Sequence, residues 1–91
     1  VDTQNIYSMY DTEAEEYSAP NLAVNDKVAA RSFIQFIQAK KIPPSVVQAL
    51  EVHRIGVMNM SNGSIQGMPP VKIELVYSPI EDLTEVGNER R

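Results

Sequence analysis

The sequence predicts an α+β domain: an antiparallel sheet of three to four strands with one main amphipathic helix packed on one face. Three observations carry this. One long segment repeats its apolar residues at helical spacing, and several short segments are rich in branched and aromatic residues with turn signals between them. The length of 91 residues also suits a single core. The expected order is β–α–β–β–β within one domain, residues 1–91. It divides into an acidic strand and loop (1–24), the main helix (25–41), a β-hairpin region (50–77) and an acidic tail (78–91).

The first element is a strand over Asn5-Ile6-Tyr7-Ser8-Met9-Tyr10. Its apolar residues fall on both faces, which places it inside the sheet rather than at an edge. Asp11 to Pro20 is acidic and ends in Ser18-Ala19-Pro20-Asn21, which is loop chemistry. The helix begins at Asn25, whose side-chain oxygen suits an N-cap, and runs to about Lys40. Asp26 complements the positive end of its dipole, and Lys40 and Lys41 the negative end. Ala29, Ala30, Phe33, Ile34, Phe36 and Ile37 gather on one broad arc, with Lys27, Arg31, Gln35 and Gln38 on the opposite stripe.

Pro43 and Pro44 stop the helix, and a short turn follows over Ser45–Leu50. A strand over Glu51–Asn59 leads to Asn62-Gly63, a hairpin signal because both residues tolerate positive φ. A return strand over Ser64–Met68 is expected to end at Pro69-Pro70. Val71, Ile73, Leu75 and Tyr77 alternate with other residues as a further, half-buried strand. Beyond Pro79 the tail is expected to hold at most a short helical turn. The expected core sets Ala30, Phe33, Ile34 and Ile37 against Val71, Ile73, Leu75 and Tyr77. The second sheet face, with Val57, Met58, Met60, Ile65 and Met68, is left for self-association, so a homo-oligomer is expected.

Composition excludes several chemistries. With no cysteine there is no disulfide, no thiolate nucleophile and no sulfur-ligated metal. No apolar run approaches the ~18–20 residues of a membrane helix, so a soluble protein without a membrane partner is expected. His53 is the single histidine. Glu51 and Arg54 beside it make neither a triad nor a metal site, and on a strand it shares a face with Ile55 and Val57 as a packed or rim residue. The glycines open no helix in a Gly-rich run, so no phosphate loop is present. No catalytic residue, metal ligand or cofactor is assigned, and a non-enzymatic protein is expected.

Net charge is −4, unevenly spread. Residues 1–19 carry Asp2, Asp11, Glu13, Glu15 and Glu16 without a base, and the tail adds further acid. Glu13, Glu15 and Glu16 read as a solvated loop, with metal binding or mimicry of nucleic-acid phosphates as the alternatives. The body carries the bases Lys27, Arg31, Lys40, Lys41, Arg54 and Lys72, which are the candidate DNA contacts. Lys27 and Arg31, one turn apart, are spaced to straddle phosphates, though any solvated helix face looks alike. Tyr7 and Tyr10 are candidate stacking residues, with Tyr17 nearby. Since Tyr7 and Tyr10 point to opposite sides of one strand, one of them belongs to the core.

A family resemblance adds to these readings. Ile6-Tyr7-Ser8-Met9-Tyr10-Asp11-Thr12-Glu13-Ala14-Glu15, followed by Tyr17 and Pro20, resembles the opening of the small non-structural protein of gokushoviruses. These are single-stranded-DNA phages of the Microviridae. Ala29-Ala30-Arg31-Ser32-Phe33 fits the helix pattern that follows in that family, and Val52-His53-Arg54-Ile55-Gly56 is similar to one of its strands. Asn62-Gly63 stands at its hairpin turn. The sequence departs at Met58-Asn59-Met60-Ser61, where the family is acidic, and at Asn21-Leu22, where an aromatic pair is usual.

The resemblance implies a replication-associated, DNA-binding role in the host cytoplasm. It is comparable to that of the C protein of related microviruses, which commits DNA synthesis to the packaging of single strands. The expected partners are single-stranded DNA or replication proteins. The rival is a protein-interaction module, an assembly factor or host-enzyme inhibitor, acting through the acidic segment. Convergence of the six bases on one surface favours DNA; dispersal favours a protein partner.

Overall fold

A nine-residue strand, β1 (Thr3–Asp11), forms the middle of an antiparallel sheet, as apolar residues on both of its faces require. The computed structural model describes residues 2–75. The remaining elements are β2 (Glu16–Tyr17), β3 (Asn21–Ala23), α1 (Asp26–Lys40), α2 (Pro44–Val47), β4 (Leu50–Asn59) and β5 (Ile65–Lys72). On one side β1 pairs with β4, and β4 with β5. On the other side β1 pairs with both β2 and β3. The architecture is α+β, a curled antiparallel sheet with one main helix. The shortest dimension, 19 Å, matches one sheet layer plus one helix.

The segment 11–20, expected as loop, is partly strand. Asp11 accepts from the amides of Glu13 and Ala14 at 2.9 and 3.1 Å, and Glu15 takes φ of 57°. That tight turn sends the chain back along β1, where Tyr17 faces Tyr10. Pro20 brings no N–H to the ladder, so the edge strand breaks into β2 and β3 around it. The Ser8 hydroxyl, on a residue 2 % exposed, donates to the Ser18 carbonyl at 2.7 Å and pins the break.

The helix follows its sequence signals closely. The Asn25 side chain accepts from the Val28 amide at 2.9 Å, and Asp26 occupies the first turn. At the other end Lys41 adopts the left-handed conformation that glycine usually fills, and its amide donates to Gln38 at 3.2 Å. Ala29, Ala30 and Phe33 are buried against Tyr7, Ala23, Val52 and Ile73, with Met9, Ile37 and Leu75 packed around them. The expected core is thus corrected in part. Ile34 is half-buried and Phe36 is 42 % exposed. Val71 is also 42 % exposed, and Tyr77 lies outside the described residues. Most of the sheet's contribution comes from Tyr7 and Val52, on the two central strands.

The largest correction concerns the prolines. Two strands were expected, Ser64–Met68 and Val71–Tyr77, separated by Pro69-Pro70; a single strand, β5, runs through both prolines to Lys72. Register explains how. Arg54 faces Val71 while Gly56 faces Gly67, so Met68, Pro69 and Pro70 stand opposite Ile55 alone. The prolines sit where the ladder is already interrupted, on an edge strand, the two settings in which a missing N–H is tolerated. Ile55 is also the extra residue against β1, since Tyr7 faces Arg54 and Ile6 faces Gly56. This bulge breaks the alternation that would set His53 on one face with Ile55 and Val57: His53 faces Ser8, whereas Val57 faces Asn5. The turn before β5 is longer than a two-residue hairpin, with Gly63 at φ 78° and the Asn59 side chain accepting from the Ser61 and Asn62 amides. The strand expected to reach Tyr77, and the tail, continue into residues 76–91, outside the described ones.

Candidate functional site

The six candidate bases do not converge on one surface: four belong to α1 or its C-cap, Arg54 lies on the sheet face that carries α1, and Lys72 on the other face. Lys27, Arg31, Lys40 and Lys41 all belong to α1 or its C-cap, and all four are exposed. Among the described residues no carboxylate pairs with any of them. Lys27, Arg31, Gln35 and Gln38 share the outward stripe of the helix, opposite the buried Ala29 and Phe33. The single acidic residue of α1, Asp26, is engaged elsewhere, so the outer helix surface is basic in a chain of net charge −4.

Arg54 is what engages Asp26. Its Nη1 donates to both carboxylate oxygens, at 2.8 and 2.7 Å. The Tyr7 hydroxyl donates to the same carboxylate at 2.6 Å and accepts from Asn5 at 3.0 Å. The Tyr7 hydrogen bond and then the Arg54 guanidinium hold the Asp26 carboxyl below its ordinary range. Burial, and then the hydrogen bond to Asp26, push the Tyr7 phenol up. Tyr7 is 3 % exposed, so it is the core member of the tyrosine pair and presents no free stacking surface. This network docks the helix N-terminus on the sheet.

Lys72 lies on the other face. Its ammonium is 3.4 Å from Glu51, which also accepts from His53 Nε2 at 2.9 Å. The His53 hydrogen bond, then the charge of Lys72, lower the Glu51 carboxyl pKa. A carboxylate only accepts, so Nε2 donates to Glu51, and Nδ1 hydrogen-bonds the Tyr17 hydroxyl at 2.7 Å. Tyr10 stacks on His53 with ring centroids 5.1 Å apart and planes 24° apart, and Tyr17 meets Tyr10 at 4.6 Å. The sequence singled out Tyr10 here but not the connection through Tyr17, His53 and Glu51. The available signal was the two-residue spacing of Glu51 and His53, which puts both on one face of a strand. Tyr17 requires the β1–β2 pairing, which no local pattern announced.

A cavity of about 470 Å³ opens between α1 and the β1–β3 side of the sheet. Phe33, Phe36, Leu22, Met9 and Val52 line it with Ser18 at its edge. No carboxylate, imidazole or amine borders it. Among the described residues no group of three acidic or imidazole side chains could hold a metal ion. No described helix is long and apolar enough to cross a membrane.

Comparison with known proteins gives one family: the one described as Phage ORF5 protein matches residues 4–78, from β1 to beyond β5. No curated protein and no solved structure matches the chain.

Proposed function

The chain belongs to the Phage ORF5 protein family, and we propose that it acts as a non-structural protein of a gokushovirus-type phage of the Microviridae. In this role it binds single-stranded DNA, alone or within the replication complex, and regulates viral genome synthesis in the host cytoplasm. The observation that carries the proposal is the outer surface of α1. Lys27, Arg31 and two glutamines stand along it, Lys40 and Lys41 close its C-terminal end, and its one carboxylate is consumed by Arg54. Cations in a row along a helix attract a phosphate backbone irrespective of base sequence. Arg54 and Lys72 take no part in that surface, since each is paired and they lie on opposite faces of the sheet. The net charge of −4 keeps single-copy affinity low, and several copies along one strand raise it by avidity.

Titration of a fluorescently labelled single-stranded oligonucleotide tests the proposal. Binding at low salt that weakens on Lys27→Ala and on Arg31→Ala supports it. Absence of binding at low salt, where charges are least screened, contradicts it.

Two observations favour a second reading, a protein-interaction module. Arg54 and Lys72 do not converge with the helix bases, and Glu13, Glu15 and Glu16 are exposed at the β1–β2 turn. On that reading the acidic turn docks on a basic partner surface, and neither lysine nor arginine substitution on α1 has an effect.

A further inference from the structure

The face of the sheet opposite α1 holds one connected patch drawn from four strands: Tyr10 of β1, Tyr17 of β2, Glu51 and His53 of β4, and Lys72 of β5. Tyr17 is its outermost ring, 44 % exposed, whereas the His53 side chain is 13 % exposed. The Tyr17 ring is held on two sides. Its hydroxyl hydrogen-bonds His53 Nδ1 at 2.7 Å, and its ring rests against Tyr10 at 4.6 Å and edge-on to His53 at 5.4 Å. His53 is itself fixed by Glu51 at 2.9 Å and by the stack on Tyr10. An exposed tyrosine is ordinarily free to rotate and must be ordered to bind; this one is ordered already.

We propose that Tyr17 is a stacking surface for a nucleobase of single-stranded DNA, with Tyr10 and His53 as the layer behind it. Aromatic faces accept any base, so the contact is sequence-tolerant. Glu51 and His53 are positioning residues: they fix the ring and do not touch the base. The carboxylate of Glu51 is balanced by Lys72, whose side chain is 66 % exposed. Glu16, next to Tyr17, and the other acids of the turn repel phosphate, so the strand's backbone is directed away from the β1–β2 turn. This assignment rests on the single-strand reading of the preceding subsection; Tyr17 and the outer stripe of α1 lie on opposite sides of the sheet, so the stacking surface is a second contact, separate from the row of cations.

The protein reports on the contact by itself, because it has four tyrosines and no tryptophan. Single-stranded DNA is expected to quench the tyrosine fluorescence, and Tyr17→Ala to remove part of that quenching. Tyr17→Ala should weaken binding roughly tenfold, in line with one lost base–aromatic stack. The dependence of affinity on salt should stay unchanged, because no phosphate contact is lost. Tyr17→Phe keeps the ring and is expected to keep most of the affinity. Photocrosslinking of the unmodified protein to a bromodeoxyuridine-substituted strand should map to Tyr17, a readout that needs no variant.

Unchanged affinity in Tyr17→Ala, with Lys27→Ala still weakening binding, overturns the stacking surface and leaves the helix contact standing. Crosslinks confined to α1 do the same. A protein that binds no single strand at low salt overturns both.

Discussion

Asp26 shows how far the role of one residue depends on its tertiary partners. In the sequence it is a first-turn acid favoured by the helix dipole. In the fold it also receives the Tyr7 hydroxyl and the Arg54 guanidinium, which ties α1 to both central strands. A carboxylate whose folded pKa is depressed contributes stability above its unfolded pKa, near 3.9, and that contribution is lost as pH falls through the folded value. Asp26→Asn is therefore expected to be less stable than the parent at neutral pH, by about 1 kcal/mol or less because the carboxylate is partly exposed. The gap should begin to narrow below about pH 4 and close only once the pH has fallen below the depressed folded value. Thermal unfolding across pH checks this; an equal gap at every pH would contradict it. The opposite faces of Tyr7 and Tyr10 were legible in the period-two alternation of β1, and so was the N-cap at Asn25. The pairing of Arg54 with Asp26 was not, because the two stand 28 positions apart and only the docking of α1 joins them.

Among the elements, α1 was legible almost to the residue, since its cap, apolar arc and terminal charges agree with one another. Sheet register was not. A strand pattern specifies which residues share a face only while alternation holds, and the bulge at Ile55 ends it. Pro69-Pro70 carries two signals, a strand stop and an edge-strand marker, and the second prevails because the neighbouring ladder is already open. Gly56 anchors the pairing on the far side of this irregularity. A Cβ placed there would lie 2.7 Å from the backbone oxygen of Gln66, so β5 could not approach β4 at this point. Gly56→Ala is expected to destabilise the protein by about 1–3 kcal/mol, as overpacking does when backbone must move. Denaturant unfolding gives the value, and an unchanged midpoint would mean that β5 relaxes away freely.

At the scale of the whole molecule, acid and base are segregated. Acid lies in the β1–β2 turn and base on the outside of α1, while exposed apolar side chains are spread over several elements: Ile65 at 66 %, Met60 at 46 %, Phe36 at 42 %, Leu22 at 41 %. Both sheet edges carry proline, Pro20 beside the break between β2 and β3 and Pro69-Pro70 in β5, which discourages edge-to-edge pairing. A second copy is thus expected to associate through a face. Light scattering at high concentration should give a mass of at least twice 10.2 kDa, and the monomer mass alone would contradict the association. The acidic composition, taken as a single number, concealed the basic helix; only the placement of Asp26 against Arg54 exposes it. That helix is tested most directly by the salt dependence of single-strand binding. Plotting log affinity against log salt for the parent, Lys27→Ala and Arg31→Ala should give slopes that fall by roughly 0.7 for each variant, one phosphate contact apiece. The effect should be the same for every base sequence, with folding stability changed by no more than about 0.5 kcal/mol. Slopes identical to the parent's, or no affinity at low salt, would contradict a phosphate-binding role for α1.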